Sequence, residues 1–259
     1  MQTPGDPGNL LKSHPACVGA SATEHFFNKR PSPTKSYMLT DLLGTTVPRL
    51  AAPFFRDITW RGPTHSADGG ACFHLTFDDG PHPESTPLLL NYLNEVEIRA
   101  TFFFLGSQAE QFPDLVRAVV EAGHQVGNHG WTHRSAWRTP KEETLSDFKR
   151  AETLLKDLTG QSVRYVRPPY GRFTPALRRW CRDGGRRLVL WDLMPGDFLT
   201  SLPSREKLID RIAGRIVSKI KPGSIVVLHE SARSHKVVLP ALDRALPLLR
   251  AKGWTAGTL

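Results

Sequence analysis

The chain has 259 residues, 39% of them hydrophobic, and a formal net charge of +9. That length suits one large domain or two small ones, and the apolar share suffices for a core. No apolar run approaches the ~20 residues of a membrane span, no nucleic-acid module signature is present, and the cysteines (Cys17, Cys72 and Cys181) are neither an even disulfide set nor spaced as a metal pair.

Residues 1–37 are rich in Pro, Gly, Ser and Thr and carry no period, so they read as a disordered tail or a mis-called extension. Met1 to Ala20 lacks a continuous apolar segment and contains Pro4, Pro7 and Pro15, so no secretory signal is read there and the cytoplasm is the default compartment. Residues 38–69 form a lead-in segment. Leu39, Leu42, Leu43, Val47, Leu50 and Ala51 suggest a short amphipathic stretch, and Phe54, Phe55, Ile58 and Trp60 follow it.

From residue 70 onward strands and helices alternate. Strands are expected at Ala71 to Phe77, Ala100 to Leu105, His124 to Gly127, Val163 to Val166, Leu188 to Trp191, Ile225 to Leu228 and Trp254 to Leu259. Helices are expected at Pro83 to Glu97, Phe112 to Ala122, Lys141 to Leu158, after Thr174-Pro175, from Ser204 to Lys221, and from Val237 to Ala251 with a bend near Pro247. Continuous apolar strands between amphipathic helices imply an α/β fold with a covered parallel sheet. A barrel and an open doubly wound sheet both satisfy this. The segment is short for eight β/α units, and a seven-stranded barrel fits the count.

The polar clusters share one phase: each follows a strand. Asp78 and Asp79 end the first, and His129 and His133 follow the third. Arg167-Pro168-Pro169-Tyr170-Gly171 follows the fourth, Asp192 and Asp197 the fifth, and His229 the sixth. In a parallel barrel all these ends open on one face, so the residues converge. Two adjacent carboxylates repel and call for a cation or a shared proton. Two histidines four apart plus one carboxylate make three N/O ligands with an open position, the set of a catalytic Zn²⁺ site. The second carboxylate is then free to serve as general base. Arg167 at the end of an apolar strand needs a carboxylate partner, and His229 is placed to give a proton to a leaving group.

Thr76-Phe77-Asp78-Asp79-Gly80, then His-x-x-x-His, then Arg-x-Pro-Tyr-Gly, then an apolar strand ending in His, resemble the ordered motifs of the polysaccharide deacetylases, carbohydrate esterase family 4 or the NodB-homology domain. The resemblance covers roughly residues 70–259. It implies a distorted (β/α) barrel and a metal-dependent hydrolase that removes acetyl groups from N-acetylated sugars or, in some members, from O-acetylated xylan. It further implies Asp78 as base, and Asp79, His129 and His133 as ligands of one divalent ion, zinc by the ligand set. Arg167 would orient the base, the Tyr170 N–H would join the oxyanion hole, Val227 would line the acetyl pocket and His229 would be the acid. The expected partner is an acetylated peptidoglycan- or chitin-like glycan, with no nucleic acid and no membrane span, and the chain is expected to be a monomer. Family substrates often lie outside the cytoplasm.

Three departures from the family pattern bear on the site. Gly130 stands where a Ser or Thr usually braces the loop. Met194 stands where an Asp usually pairs with the acid histidine, and Phe198 replaces a Trp. The expectation is therefore that His229 lacks its usual charge partner and titrates low, unless Asp192 or Asp197 takes that place. The alternatives are an O-acetyl esterase or other amide hydrolase of the same fold, or a catalytically weak glycan-binding module.

Overall fold

The structure is a computed structural model and describes residues 46–199 and 204–259. The tail expected over 1–37, and residues 38–45 of the lead-in, lie outside the described residues. A short helix α1 (Val47–Ala51) and strand β1 (Ile58–Thr59) come first. Then follow β2 (Ala71–Asp78), α2 (Ser85–Glu95), β3 (Thr101–Phe104), α3 (Gly106–Gln111), α4 (Pro113–Glu121), β4 (Gln125–Asn128) and α5 (Lys141–Thr159). The second half is β5 (Tyr165–Val166), α6 (Pro175–Asp183), β6 (Arg187–Val189), α7 (Arg205–Lys219), β7 (Ile225–His229), α8 (His235–Arg250) and β8 (Trp254–Ala256).

The strand order is β1-β6-β5-β4-β3-β2-β7, all parallel, with β8 added beside the start of β2. From β2 to β6 each strand lies beside its predecessor with no reversal of order. A doubly wound sheet reverses, so the sheet is singly wound and curls into the expected distorted seven-stranded barrel. Leu193, just past β6, bridges in parallel to Val226, and the Val227 N–H donates to the Leu193 carbonyl at 3.0 Å. That contact draws the two ends of the curl together.

The helix ends follow local chemistry. Thr174 Oγ1 accepts from the Leu177 N–H at 3.3 Å and Ser204 Oγ from the Lys207 N–H at 3.2 Å, capping α6 and α7 as their sequences predict. Two elements differ from expectation. Helix α3 has only Gly106 and Ala109 buried, so it shows no apolar period to read. Strand β1 is two residues long and pairs with β6, so the lead-in contributes to the sheet. Helix α8 runs through both Pro240 and Pro247.

Strand alternation sorts the side chains into two sets. Phe73, Leu75 and Phe77 of β2, Phe102 and Phe104 of β3, and Val226 and Leu228 of β7 join one core with Leu89, Leu93, Ile212, Ile216, Leu242 and Leu246 of the helices. The opposite set faces the inside of the curl. Phe103, Val189 and Ile225 pack there as a separate small cluster. Thr76 and Asp78 of β2, and Val227 and His229 of β7, share that inner phase, so the sheet that buries the main core also aims its polar residues at the barrel mouth.

Candidate active site

Two consecutive carboxylates leave β2 and go different ways. Asp78 is buried, still in strand conformation, and accepts from Arg167 Nη1 at 2.7 Å. Arg167 is wholly buried; its Nη1 also donates to Thr76 Oγ1 at 2.7 Å, and its Nη2 donates to the Leu190 carbonyl at 3.2 Å. Its guanidinium lies 4.0 Å above the centre of the Phe103 ring. A buried arginine of this kind is tolerated because its charge is paired at short range and both Nη groups are hydrogen-bonded, although Nε has no hydrogen-bond partner. The motif residue therefore has the carboxylate partner that its burial demands.

Asp79 takes a φ of +77°, unusual for a residue with a Cβ, and this turns its side chain away from Asp78. Its Oδ1 lies 3.4 Å from His129 Nε2 and 3.2 Å from His133 Nε2. Ligand atoms of Asp79, His129 and His133 all fall within 4.8 Å of one another. His129 Nδ1 lies 2.7 Å from the Arg167 carbonyl, which can only accept, so the proton sits on Nδ1 and a lone pair on Nε2. Burial and the neighbouring His129 push the His133 pKa down, which favours the neutral ring that a metal needs. Asp79 Oδ1 is itself buried with no hydrogen-bond donor. Against the opposing effect of burial, the histidines hold the Asp79 carboxyl down at about 2. Asp79, His129 and His133 thus turn one ligand atom each to the same small volume, and this donor set fits a divalent cation, with zinc suited to two imidazoles and one carboxylate.

The loop carrying the histidines is braced from α5. Asp147 accepts from the Trp131 N–H at 2.6 Å, the Thr132 N–H at 3.2 Å and Thr132 Oγ1 at 2.7 Å. Gly130 has φ +83°, and a Cβ there would meet Asp147 Oδ2 at 2.7 Å. The glycine and Asp147 therefore go together, and the bracing expected to be missing comes from the helix. Tyr170 stands at φ +60° in a tight 3₁₀ turn, with its ring edge-on to His133 at 4.6 Å between centroids. Val227 is buried on the inner phase of β7, two residues before His229.

His229 corrects one expectation. Its Nδ1 lies 3.0 Å from Asp197 Oδ1, and its backbone N–H donates to Asp197 Oδ2 at 2.8 Å. Burial alone would lower the His229 pKa, but the Asp197 charge and hydrogen bond outweigh it, with help from Asp79 and Asp78, and raise it to about 9. The loss of a carboxylate at Met194 is thus compensated by Asp197. Asp192 is committed elsewhere: it accepts from Arg49 (3.3 Å), Arg61 (3.2 Å), Ser224 Oγ (3.1 Å) and the Ile225 N–H (3.0 Å). Met194 instead offers its carbonyl to Arg215 Nη2 at 3.1 Å, and Phe198 sets its ring edge 5.4 Å from His229. A cleft of about 450 Å³ opens beside Asp79, Asp197 and His229.

Two residues at the site escaped the sequence reading. Glu230, next to His229, is buried with Oε1 accepting from Thr86 Oγ1 at 2.6 Å and Oε2 against Gly80, where any Cβ would overlap it. Burial raises its pKa to about 8. An acid directly following an apolar strand was the available signal. Asp147 lies three residues after Thr144 and four before Ala151, on the edge of the buried stripe of α5. A charge on an apolar stripe was its signal.

Comparison with known proteins agrees with this geometry. The polysaccharide deacetylase family model matches residues 65–189. A chitooligosaccharide deacetylase of Sinorhizobium fredii is 31% identical over 205 residues, covering 75% of this chain and 93% of that protein. A peptidoglycan-N-acetylglucosamine deacetylase of Bacillus cereus is 32% identical over 180 residues, covering 69% of this chain and 63% of the longer relative. A crystal structure of a peptidoglycan N-acetylglucosamine deacetylase in complex with a naphthyl-substituted N-hydroxybenzamide is 28% identical with a TM-score of 0.71, covering 81% of this chain and 94% of that one. The match in sequence, extent and fold makes this chain a member of the polysaccharide deacetylase family.

Proposed function

We propose that this chain removes acetyl groups from N-acetylated sugars of a glycan, in a reaction that needs one divalent metal ion, zinc by its donor set. The observation that carries the reading is the orphaned Asp79 Oδ1 between two histidine nitrogens, with Asp78–Arg167 on one side and His229–Asp197 on the other. Asp79, His129 and His133 would hold the ion, which when bound supplies the Lewis acidity that amide hydrolysis requires at neutral pH. Asp78 takes the proton of the attacking water. Arg167 fixes the orientation of that carboxylate through its 2.7 Å bond. His229, held through Nδ1 by Asp197, turns Nε2 to the cleft and gives its proton to the departing amine. The Tyr170 N–H stabilises the oxyanion of the tetrahedral intermediate, and Val227 lines the space for the acetyl methyl group.

The test is acetate release by the zinc-loaded full chain from peptidoglycan, chitin oligomers and acetylxylan, before and after chelation. Release from an N-acetylated glycan that chelation stops and zinc restores supports the reading. Release from acetylxylan alone would assign an O-acetyl esterase. Glycan binding with stoichiometric zinc and no acetate would assign a binding module.

A further inference from the structure

Beyond the hydrolytic groups, the described residues carry four exposed aromatic side chains, and three of them (Trp137, Tyr170 and Phe198) lie around this site. Trp137 is 66% exposed, yet its ring is pinned, because Nε1 donates to the Phe173 carbonyl at 2.9 Å. A pinned, solvent-facing indole presents a fixed apolar face. Between Trp137 and Tyr170 stands Arg172, its guanidinium carbon 5.2 Å from the centre of the first ring and 5.4 Å from that of the second. Its polar contact is Nη1 to Ser135 Oγ at 3.4 Å. No carboxylate among the described residues lies within ion-pair distance of it. This differs from Arg178, Arg186 and Arg244, each of which has an acidic partner. The string Trp137, Arg172, Tyr170 leads by direct contacts to the metal-ligand candidate His133.

We propose that Trp137 and Arg172 form a subsite for a sugar next to the one being deacetylated, and that Arg172 reads a carboxylate on that sugar. The substrate class is then an anionic N-acetylated glycan rather than a neutral one. The pieces match the chemistry of such a ligand. A sugar ring offers a C–H face that stacks on an aromatic plane, and Trp137 supplies one that costs little to order. A guanidinium fork binds a carboxylate through two parallel hydrogen bonds, and the flanking rings hold the fork without neutralising it. The chain's net charge of +9 favours approach of a polyanion in the same sense.

This inference rests on the deacetylase reading, and its test separates the two. The substrates are soluble peptidoglycan strands stripped of peptide, whose alternate sugars bear a lactyl carboxylate, and the same strands with that carboxyl amidated. Wild type should show a KM about tenfold lower for the carboxylate form, the worth of one charge-assisted contact. Arg172→Gln should erase that ratio at unchanged kcat, and Arg172→Lys should keep part of it. Trp137→Ala should raise KM for both forms alike, on the order of fivefold. Equal KM values in wild type, or a ratio that Arg172→Gln leaves intact, would overturn the subsite. If no strand releases acetate, the deacetylase reading has failed, and calorimetric affinities for the same pair of strands then decide the subsite by the same ratio.

Discussion

The two sides of the site are built on different principles. On one side Asp78, Asp79, His129 and Arg167 stand at or just past the ends of β2, β4 and β5, and their partners are other strand ends or backbone carbonyls. On the other side His229 ends β7, but its partner Asp197 sits on the irregular connection after β6. The strand-end side is closely packed: Arg167 is fully buried and its hydrogen bonds join three strand ends at once. The connection side is more open, with Phe198 exposed and a cleft alongside. The proposed base and two of the proposed metal ligands thus stand at the buried strand ends, and the proposed acid stands beside the cleft.

The sharpest way to break this contrast is His129→Ala. It should abolish zinc binding and acetate release while the fold persists, because the ring hydrogen-bonds only the Arg167 carbonyl at 2.7 Å. Full metal stoichiometry in that variant would remove His129 from the ligand set. Asp78→Asn comes next. It should keep the metal, since Asp79 and not Asp78 is the proposed ligand, and lose about 10²–10⁴-fold in kcat. It also leaves Arg167 without its ion partner, so the thermal midpoint should fall, by less than the ~3–5 kcal/mol of deleting the partner outright, because Asn still accepts a hydrogen bond. A tenfold loss in kcat would be too small for a general base.

On the acid side the effect is a pH shift. A general acid must be protonated, and with its pKa raised to about 9 by Asp197, His229 keeps its proton through neutral pH and loses it as pH rises through that value. The alkaline limb of kcat/KM should therefore lie above the ordinary histidine range in wild type and move to lower pH in Asp197→Asn. Met194→Asp should leave it in place, because the Met194 position engages Arg215 through its carbonyl while Asp197 already serves His229. A limb that follows Met194→Asp instead would assign the partner wrongly. The smallest effect is at Gly130. Gly130→Ser introduces a Cβ at φ +83° against Asp147 Oδ2. It should destabilise by about 1–3 kcal/mol, a loss read from thermal melts. A stabilised variant would mean that the loop wants the hydroxyl and that the Asp147 brace is dispensable.

Much of this was legible in the sequence because it is local. The alternation of apolar strands with amphipathic helices set the fold class, and the placing of Asp78, His129, Arg167 and His229 after strands implied one shared mouth. The His129–His133 spacing beside two acids pointed to a metal before any geometry was known. Periodicity reports which face of an element is buried, and a parallel barrel converts that into position.

Tertiary structure decided what depends on the path between elements. Whether Asp192 or Asp197 reaches His229 turns on how the chain after β6 bridges to β7 at Leu193 and Val226, and nothing in the local pattern distinguishes the two acids. The compensation of Gly130 by Asp147 joins a loop to a helix 17 residues away in sequence, and Arg172 meets Trp137 35 residues back only because the loops after β4 and β5 lie side by side. Burial is written in one element's own residues. A partner is a property of two elements at once, and only the closed sheet fixes which two meet.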